Sequence, residues 1–334
     1  MAELLPEGVF SEEPEEIYNA VKEMSGFSYF LSTLGNVIGF KGLDALRLFA
    51  EILGILILSA MLRRVGELVK SQGLSSTLSF CGVGGVMAAV VGVQYEQLRS
   101  IAVFLDNLNI LANATIPIMG TLYVAGGNVG AAAVNNSAML IFLTICENLC
   151  NRTVMPITAI CIALSMSAAF AKTPDLRGIA TTVKKIYTFI IAFVMSILMA
   201  VLGAQSTLTS AKDSLGGRAA KFMAGHFIPV VGGAVGESLK TVAASISFIR
   251  TTVGVGGVII ILFLLLPTLI SILLTRLAFM CASSAARILG CGEEAGILGE
   301  LTSIYGYLLA VICSCSVMFI FALTLLARTS AAFG

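Results

Sequence analysis

Ionisable side chains inside apolar segments are the residues of this sequence with the most evident chemical potential. Asp44, Arg47 and Glu51 follow the spacing i, i+3 and i+7, which places them on one helix face. Glu147 and Arg152 lie about a turn and a half apart in a later apolar segment. A charge inside a bilayer is costly and therefore pairs or faces a cavity. The first group predicts either a salt bridge at a helix end or a polar path, and the second either a path or a surface loop.

Catalytic and metal-binding patterns are absent from the sequence. The single histidine, His226, could titrate near neutrality or could be purely structural. One histidine and no CxxC pair exclude the usual Cys/His zinc sites, so the eight cysteines are predicted to be small buried apolar residues. No Walker A, HExxH or GxSxG motif occurs. The sequence predicts no enzyme and no cofactor, so any ATP-driven transport would need another protein.

The composition predicts a polytopic α-helical membrane protein. Of 334 residues, 57% are apolar and 12% charged, about half the charge of a soluble domain. The mean hydropathy is +0.98. Continuous apolar runs of about 20 residues favour helices over the alternating strands of a membrane barrel. Nucleic acid is not an expected partner, because no basic patch carries interleaved aromatic residues.

Charge distribution predicts the topology. Seven of the 19 acids lie in residues 1–25, against one base, Lys22, which predicts a polar head outside the cytoplasm. Bases follow the first, third and fifth predicted spans, in segments 63–74, 172–185 and 276–296, which the positive-inside rule assigns to the cytoplasm. Full spans are predicted at 43–62, 74–94, 141–171, 186–203, 253–275 and 299–326; the third could also be two shorter helices.

The organisation that follows has five parts. They are an acidic head at 1–40, the first span with its basic loop at 41–73, a membrane repeat at 74–171, a second repeat at 186–276, and a cytoplasmic loop with the last span at 277–334. No signal peptide is visible, since residues 1–25 are acidic and polar.

An internal parallel duplication is predicted from prolines. Ile116–Gly120 and Ile228–Gly232 share the pattern I-P-x-x-G, and Pro156 and Pro267 follow them at 39 and 38 residues. Each I-P-x-x-G region is compatible with a re-entrant hairpin, a pair of short spans, or a kinked and packed helix. Broken helices at matched positions are typical of transporter working regions. The predicted path or hinge residues are Pro117, Gly120, Pro156, Glu147, Arg152, His226, Pro229, Gly232 and Pro267.

The segment Lys221–Gly232, KFMAGHFIPVVG, together with Thr252–Val258 and the apolar run to Pro267, resembles the stage III sporulation protein AE family of endospore-forming bacteria. The resemblance extends from the first span to about residue 330. It implies a permease-like or export-platform subunit of the channel complex between mother cell and forespore, in the mother-cell-derived outer forespore membrane. Implied partners are an AA ATPase and an AG ring protein, and late forespore development would depend on the complex.

Three functions therefore remain open. The first is a transport-platform subunit, and the second is an autonomous secondary transporter that couples ions through Glu147 or His226. The third is a structural scaffold that recruits the cytoplasmic ATPase. Candidate partner contacts are the bases Arg63, Arg64, Lys184 and Lys185, and self-association is left open.

Overall fold

The computed structural model describes residues 26–68, 72–125, 137, 141, 144–145, 147–171, 178–201, 203–204 and 232–328, with side chains of the fifth helix from 256 on. These residues are all helical apart from short turns. The helices are α1 (Phe27–Leu68), α2 (Gln72–Ala125), a π-helix (Glu147–Arg152), α3 (Val154–Ala171), α4 (Gly178–Val201), α5 (Gly232–Ile288) and α6 (Gly292–Arg328). An all-helical fold was predicted and is confirmed for this part of the chain.

Four described helices are long and apolar enough to cross a membrane. They are Ser28–Gly66, Gly178–Val201, Gly256–Ile288 and Gly292–Thr324. These four cover predicted spans at 43–62, 186–203, 253–275 and 299–326. In lipid every backbone N–H and C=O needs an internal partner, which an apolar helix supplies within itself. The predicted span 74–94 lies inside α2.

Helices extend past the apolar runs from which the spans were predicted. α1 begins at Phe27, so residues 27–40 of the predicted head are helical. Lys184 and Lys185 lie within α4 rather than in a loop. α5 runs to Ile288, which reduces the predicted loop 276–296 to a three-residue turn. Hydropathy marks the lipid-facing length of a helix, and charged residues at a helix end do not stop it.

The α5–α6 turn has a local cause in Gly290, whose φ is 78°. The Cys291 N–H donates to the Ala286 carbonyl at 2.8 Å, and the Gly290 N–H donates to the Arg287 carbonyl at 3.2 Å. This pair of bonds is the Schellman motif, which places glycine in the left-handed conformation after a helix. The motif reverses the chain, so α6 packs antiparallel along α5.

The core lies between α1, α2, α5 and α6. Ile52 and Leu56 of α1 are fully buried, as are Phe279 of α5 and Tyr305 of α6, whose rings meet edge to face at 5.3 Å. Glycines allow close approach of the helices: a Cβ at Gly85 would lie 3.2 Å from a methyl group of Ile55. Small residues at such crossings are typical of membrane helix packing.

α1 runs antiparallel to α2 and parallel to α5. Ile55 of α1 lies beside Gly85 near the start of α2, and the ring of Tyr29 near the start of α1 contacts the ring of Phe263 of α5 in a tilted arrangement. The C-terminal end of α1, the N-terminal part of α4 and the α5–α6 turn consequently lie at the same end of the bundle, which we call the turn end. Arg63 marks α1 there through its contact with α6.

α2 is one continuous helix of 54 residues that passes through Pro117. Proline lacks the N–H that would bond four residues back, and the helix nevertheless continues to Ala125. Within the described residues this matches the kinked-helix alternative for the first I-P-x-x-G region. The stretch 95–109 of α2 is amphipathic, since Ile101 and Phe104 are buried while Arg99 is exposed.

Candidate functional site: a polar seam within the apolar bundle

A row of polar side chains crosses the interface between α2 and α5. It consists of Gln94, Gln97, Thr268, Ser271 and Thr275, which we call the polar seam. The Gln97 amide Nε2 donates to Ser271 Oγ at 2.8 Å and to Thr275 Oγ1 at 3.3 Å. Hydrogen bonds of this kind between membrane helices contribute roughly 0.6–2 kcal/mol each. The seam therefore helps to hold α2 on α5.

The seam follows from helical spacing. Gln94 and Gln97 are three residues apart on α2, and the α5 members are spaced by three and four residues, so each set occupies one helix face. Four of the five members are less than a tenth exposed; Gln97 is half-buried. Both amide atoms of Gln94 and the hydroxyl of Thr268 are buried without a hydrogen-bond partner among the described residues. Such groups are costly unless water or a ligand satisfies them.

A cavity of about 480 Å³ opens beside the seam, between α1, α2 and α5. Its polar lining consists of Lys41, Asp44, Glu96, Gln97, Ser271 and Thr275. Small residues, among them Ala45, Ala88 and Gly92, leave the space. The volume lies within the range of small-molecule sites, and the polar lining suits water or a polar solute.

The cavity lies midway along two apolar helices. Lys41 and Asp44 are near the middle of the candidate span Ser28–Gly66, and Ser271 and Thr275 are near the middle of Gly256–Ile288. Polar groups at such a position usually mark a solute or ion pathway. Asp44 was expected to pair with Arg47; the described residues contain no such ion pair, and Asp44 lines the cavity instead.

Pro267 directly precedes the seam on α5. Because proline has no N–H, the carbonyl of Phe263 lacks its usual helical donor. Thr268, the next residue, is buried with an unpartnered hydroxyl. A missing backbone bond beside unsatisfied polar groups is a point at which a helix bends at low cost. This arrangement fits the hinge role predicted for Pro267.

A buried ion pair lies at the turn end. The Arg63 guanidinium contacts the Glu294 carboxylate at 2.6 Å and 2.8 Å, and Ser59 Oγ donates to the same carboxylate at 2.7 Å. The Glu294 side chain is completely buried and Arg63 is 17% exposed. α2 closes over the group at Gly82, where a Cβ would lie 2.5 Å from Glu294 Oε1. Three helices therefore meet on one carboxylate.

Cys291 borders this ion pair in the α5–α6 turn. Burial raises the pKa of its thiol, and the nearby Glu294 charge raises it further; Arg63 and Ser59 act in the opposite direction. The sulfur lies 3.8 Å from the Leu56 carbonyl. The thiol is therefore neutral and inert at neutral pH, which is how a structural cysteine behaves.

A second buried base lies further along the turn end. Lys184 of α4 is 5% exposed; its ammonium donates to Ser303 Oγ at 2.8 Å and lies 3.3 Å from Glu300 Oε2. Tyr187, one turn on, donates to the Leu149 carbonyl at 2.5 Å and so joins α4 to the π-helix. α4 is thereby fastened at two successive turns, to α6 and to the π-helix.

The structure separates the other predicted site residues. Pro117 is exposed in α2, which also contains Gly120, and Pro156 lies in the first turn of α3. Glu147 and Arg152 begin and end the π-helix. Gly232 is the first residue of α5, whereas His226 and Pro229 lie outside the described residues. Of the members that the structure describes, only Pro267 adjoins the polar seam.

The matched prolines occupy different settings. Pro156 stands at the beginning of an 18-residue helix, and Pro267 stands deep inside a 57-residue helix. The duplication therefore stays a prediction. The four candidate contact bases also differ: Arg64 and Lys185 are exposed, while Arg63 and Lys184 form ion pairs within the chain.

The two glutamines, the hydroxyl residues of α5 and Glu294 were not among the site residues predicted from the sequence. Single Ser, Thr and Gln residues are common in membrane helices, and only their shared i, i+3, i+7 spacing could have indicated one polar face. Three cysteines of the described part also depart from expectation: Cys315 is disulfide-bonded, and the free Cys81 and Cys281 are exposed rather than buried. Within the described ranges, no three His, Cys, Asp or Glu residues cluster as metal ligands.

Comparison with known proteins identifies the family. The family model for stage III sporulation protein AE matches residues 16–330. Among curated proteins, the stage III sporulation protein AE of Bacillus subtilis (strain 168) is 25% identical over 213 residues, which are 64% of this chain and 53% of the relative. The match thus spans about half the length of that relative. No solved structure matches. The chain, an all-helical protein with four apolar helices of membrane-spanning length, belongs to the stage III sporulation protein AE family.

Proposed function

We propose that this chain is a permease-like membrane subunit of the sporulation channel complex, and that a polar solute crosses the bundle by way of the cavity beside the polar seam. Family membership supports a role in sporulation. The observation that supports this proposal most is the cavity of about 480 Å³, which has a charged and hydroxyl lining and lies midway along two apolar helices. The expected site of action is the mother-cell-derived outer forespore membrane.

A rearrangement of α5 would open the path. Pro267 weakens the helix next to the seam, and Gln97 holds α2 to α5 by two hydrogen bonds. Breaking those bonds exposes hydroxyls that water or solute can satisfy, so the energetic difference between the two arrangements is small. The AA ATPase implied by the family resemblance would supply the driving force, because the sequence contains no nucleotide-binding motif.

The finer organisation belongs to the same proposal. Six spans and two matched proline-containing regions give a parallel repeat, with the cavity between elements of both repeats: α2 from the first and α5 from the second. Sites at the interface of repeats are common in transporters.

The test is a steric block of the cavity in the sporulating host. Gly92 lines the cavity and a Cβ there meets nothing within 4 Å, so Gly92→Leu fills space without a backbone clash. We expect normal protein levels and a severe loss of heat-resistant spores. Gly54→Leu is the matched control, since Gly54 is equally open but does not line the cavity. Normal spore yield with Gly92→Leu at wild-type protein level would contradict the proposal.

A scaffold that recruits the ATPase is the second candidate. It is favoured by the exposed bases Arg64 and Lys185 near the same end of the bundle. Charge reversal at Arg64, with the cavity intact, separates the two functions. A scaffold loses ATPase recruitment with Arg64→Glu and tolerates Gly92→Leu, whereas a permease shows the reverse.

A further inference from the structure

A second cavity, of about 450 Å³, lies between α4 and α6 and is distinct from the one beside the polar seam. Its polar lining consists of Thr181, Lys184, Lys185, Thr188, Ser303 and Tyr307. Phe189 and Ala192 form an apolar side, and the cavity is open to the outside of the bundle. The lining thus combines two cationic groups, three small hydroxyls and an apolar wall.

The two lysines of this cavity differ in burial and in ion pairing. Lys184 is buried and its charge is compensated by Glu300 and Ser303. Lys185 is exposed, and no ion pair occupies it among the described residues. The Tyr307 hydroxyl is buried on the side of the ring that faces Thr158 of α3, so it is not offered to the cavity. The cavity therefore has one uncompensated cation, Lys185, among small hydroxyls, a combination that suits a phosphate oxygen.

The position of the cavity indicates where the phosphate comes from. Lys184 and Lys185 lie six and seven residues from the start of the candidate span Gly178–Val201, which is about 9–10 Å along the helix axis. A centred helix of 24 residues extends about 3 Å beyond each face of a hydrocarbon core of roughly 30 Å, so these backbone positions lie about 6–7 Å inside it. A long lysine side chain reaches the headgroups from that depth. Further along α4, the exposed rings of Phe189 and Phe193 stack at 6.1 Å and present an apolar surface to the bilayer.

We propose that the α4–α6 cavity binds the headgroup of an anionic phospholipid, with the phosphate at Lys185 and an acyl chain along Phe189 and Phe193. Basic pockets between membrane helices on the cytoplasmic side bind such headgroups. The bound lipid would fasten α4 to α6 beside the Lys184–Glu300 pair. Lys184 and Lys185 were candidates for contact with a protein partner; the place of Lys185 beside a cavity within a candidate span favours a ligand that enters from the bilayer.

The test measures binding of phosphatidylglycerol to the full chain in nanodiscs of otherwise neutral lipid, by native mass spectrometry. Lys185→Gln should weaken binding about fivefold, the value typical of one lysine near an anionic surface. Ala192→Trp, which fills the apolar side, should weaken it without a change of charge. Arg287→Gln is the matched control, because Arg287 is an exposed base near the α5–α6 turn and outside the cavity.

Two results would overturn the proposal. Equal weakening by Lys185→Gln and Arg287→Gln would mean that general surface charge attracts the lipid. Displacement of the lipid by millimolar inorganic phosphate, with an unchanged effect of Lys185→Gln, would mean that the cavity takes a free anion rather than a headgroup.

Discussion

At the scale of single residues, the buried carboxylate of Glu294 carries the clearest energetic consequence. It accepts hydrogen bonds from Arg63 and Ser59 and has no solvent contact. A buried ion pair adds little over a well-packed apolar pair, but removal of one partner leaves an uncompensated charge. The pair therefore specifies how α1 meets α6 more than it adds stability.

Arg63→Met should lower the free energy of unfolding by about 3–5 kcal/mol, because the buried Glu294 carboxylate then loses its partner. Thermal unfolding in detergent measures the effect. Arg47→Met, in the same helix but exposed, should change the stability by no more than about 0.5 kcal/mol. Equal effects of the two substitutions would show that the Arg63–Glu294 contact has no special role.

The sequence indicated some of these residues and not others. Asp44 and Arg63 were identified because a charge in or beside an apolar run is conspicuous. The partners of these residues were not identified. Arg63 and Glu294 are 231 positions apart, and a single sequence contains no signal for that pairing. Gln94 and Gln97 passed unnoticed because an amide has no charge and its partners lie on a distant helix.

At the scale of helices, the crossing of α1, α2 and α6 depends on the absence of a side chain at Gly82. Two further glycines follow closely in α2, and Gly84 faces open space. The two positions share a helix and a residue type, and they differ in what a methyl group would meet. They form a natural matched pair.

Gly82→Ala should destabilise the protein, because its Cβ would press on Glu294 Oε1 and on Ser59. Gly84→Ala should be neutral or stabilising by up to about 1 kcal/mol, the difference in helix propensity. Melting temperatures of both variants in the same detergent measure this. A higher melting temperature for Gly82→Ala than for Gly84→Ala would contradict the described crossing.

Helix existence was predictable and helix length was not. Apolar runs of about 20 residues located the four candidate spans, because lipid requires them. α5 has 57 residues, about 85 Å, which is far more than the roughly 30 Å of a hydrocarbon core. α5 ends because of Gly290 and the two hydrogen bonds of the turn. A hydropathy profile detects neither of these features.

At the scale of the whole molecule, three basic segments of the sequence converge at the turn end. Arg63 contacts Glu294, and Lys184 contacts Glu300 and Ser303, all in the N-terminal third of α6. The positive-inside rule assigned these segments to one side of the membrane from charge alone. The structure brings Arg63 and Lys184 to one end of the bundle, and the side of the membrane that this end faces stays a prediction.

Single cysteines placed in the three connections should all react from the same side of the membrane. Suitable substitutions in a cysteine-free background are Lys70→Cys, Asp175→Cys and Leu289→Cys. A membrane-impermeant maleimide applied to sealed vesicles of one orientation reports the side. Labelling of one connection from the opposite face would show that the predicted topology is wrong.

The proposed function depends most on whether the polar seam and its cavity are open to water within the apolar bundle. Water-accessibility of single cysteines along one turn of α5, measured with a charged thiol reagent in the membrane, tests this directly. Ser271→Cys and Thr275→Cys, which line the cavity, should react, whereas Ile272→Cys in the core and Leu273→Cys on the outer face should not. Uniform protection of all four positions would contradict a water-filled path through this protein.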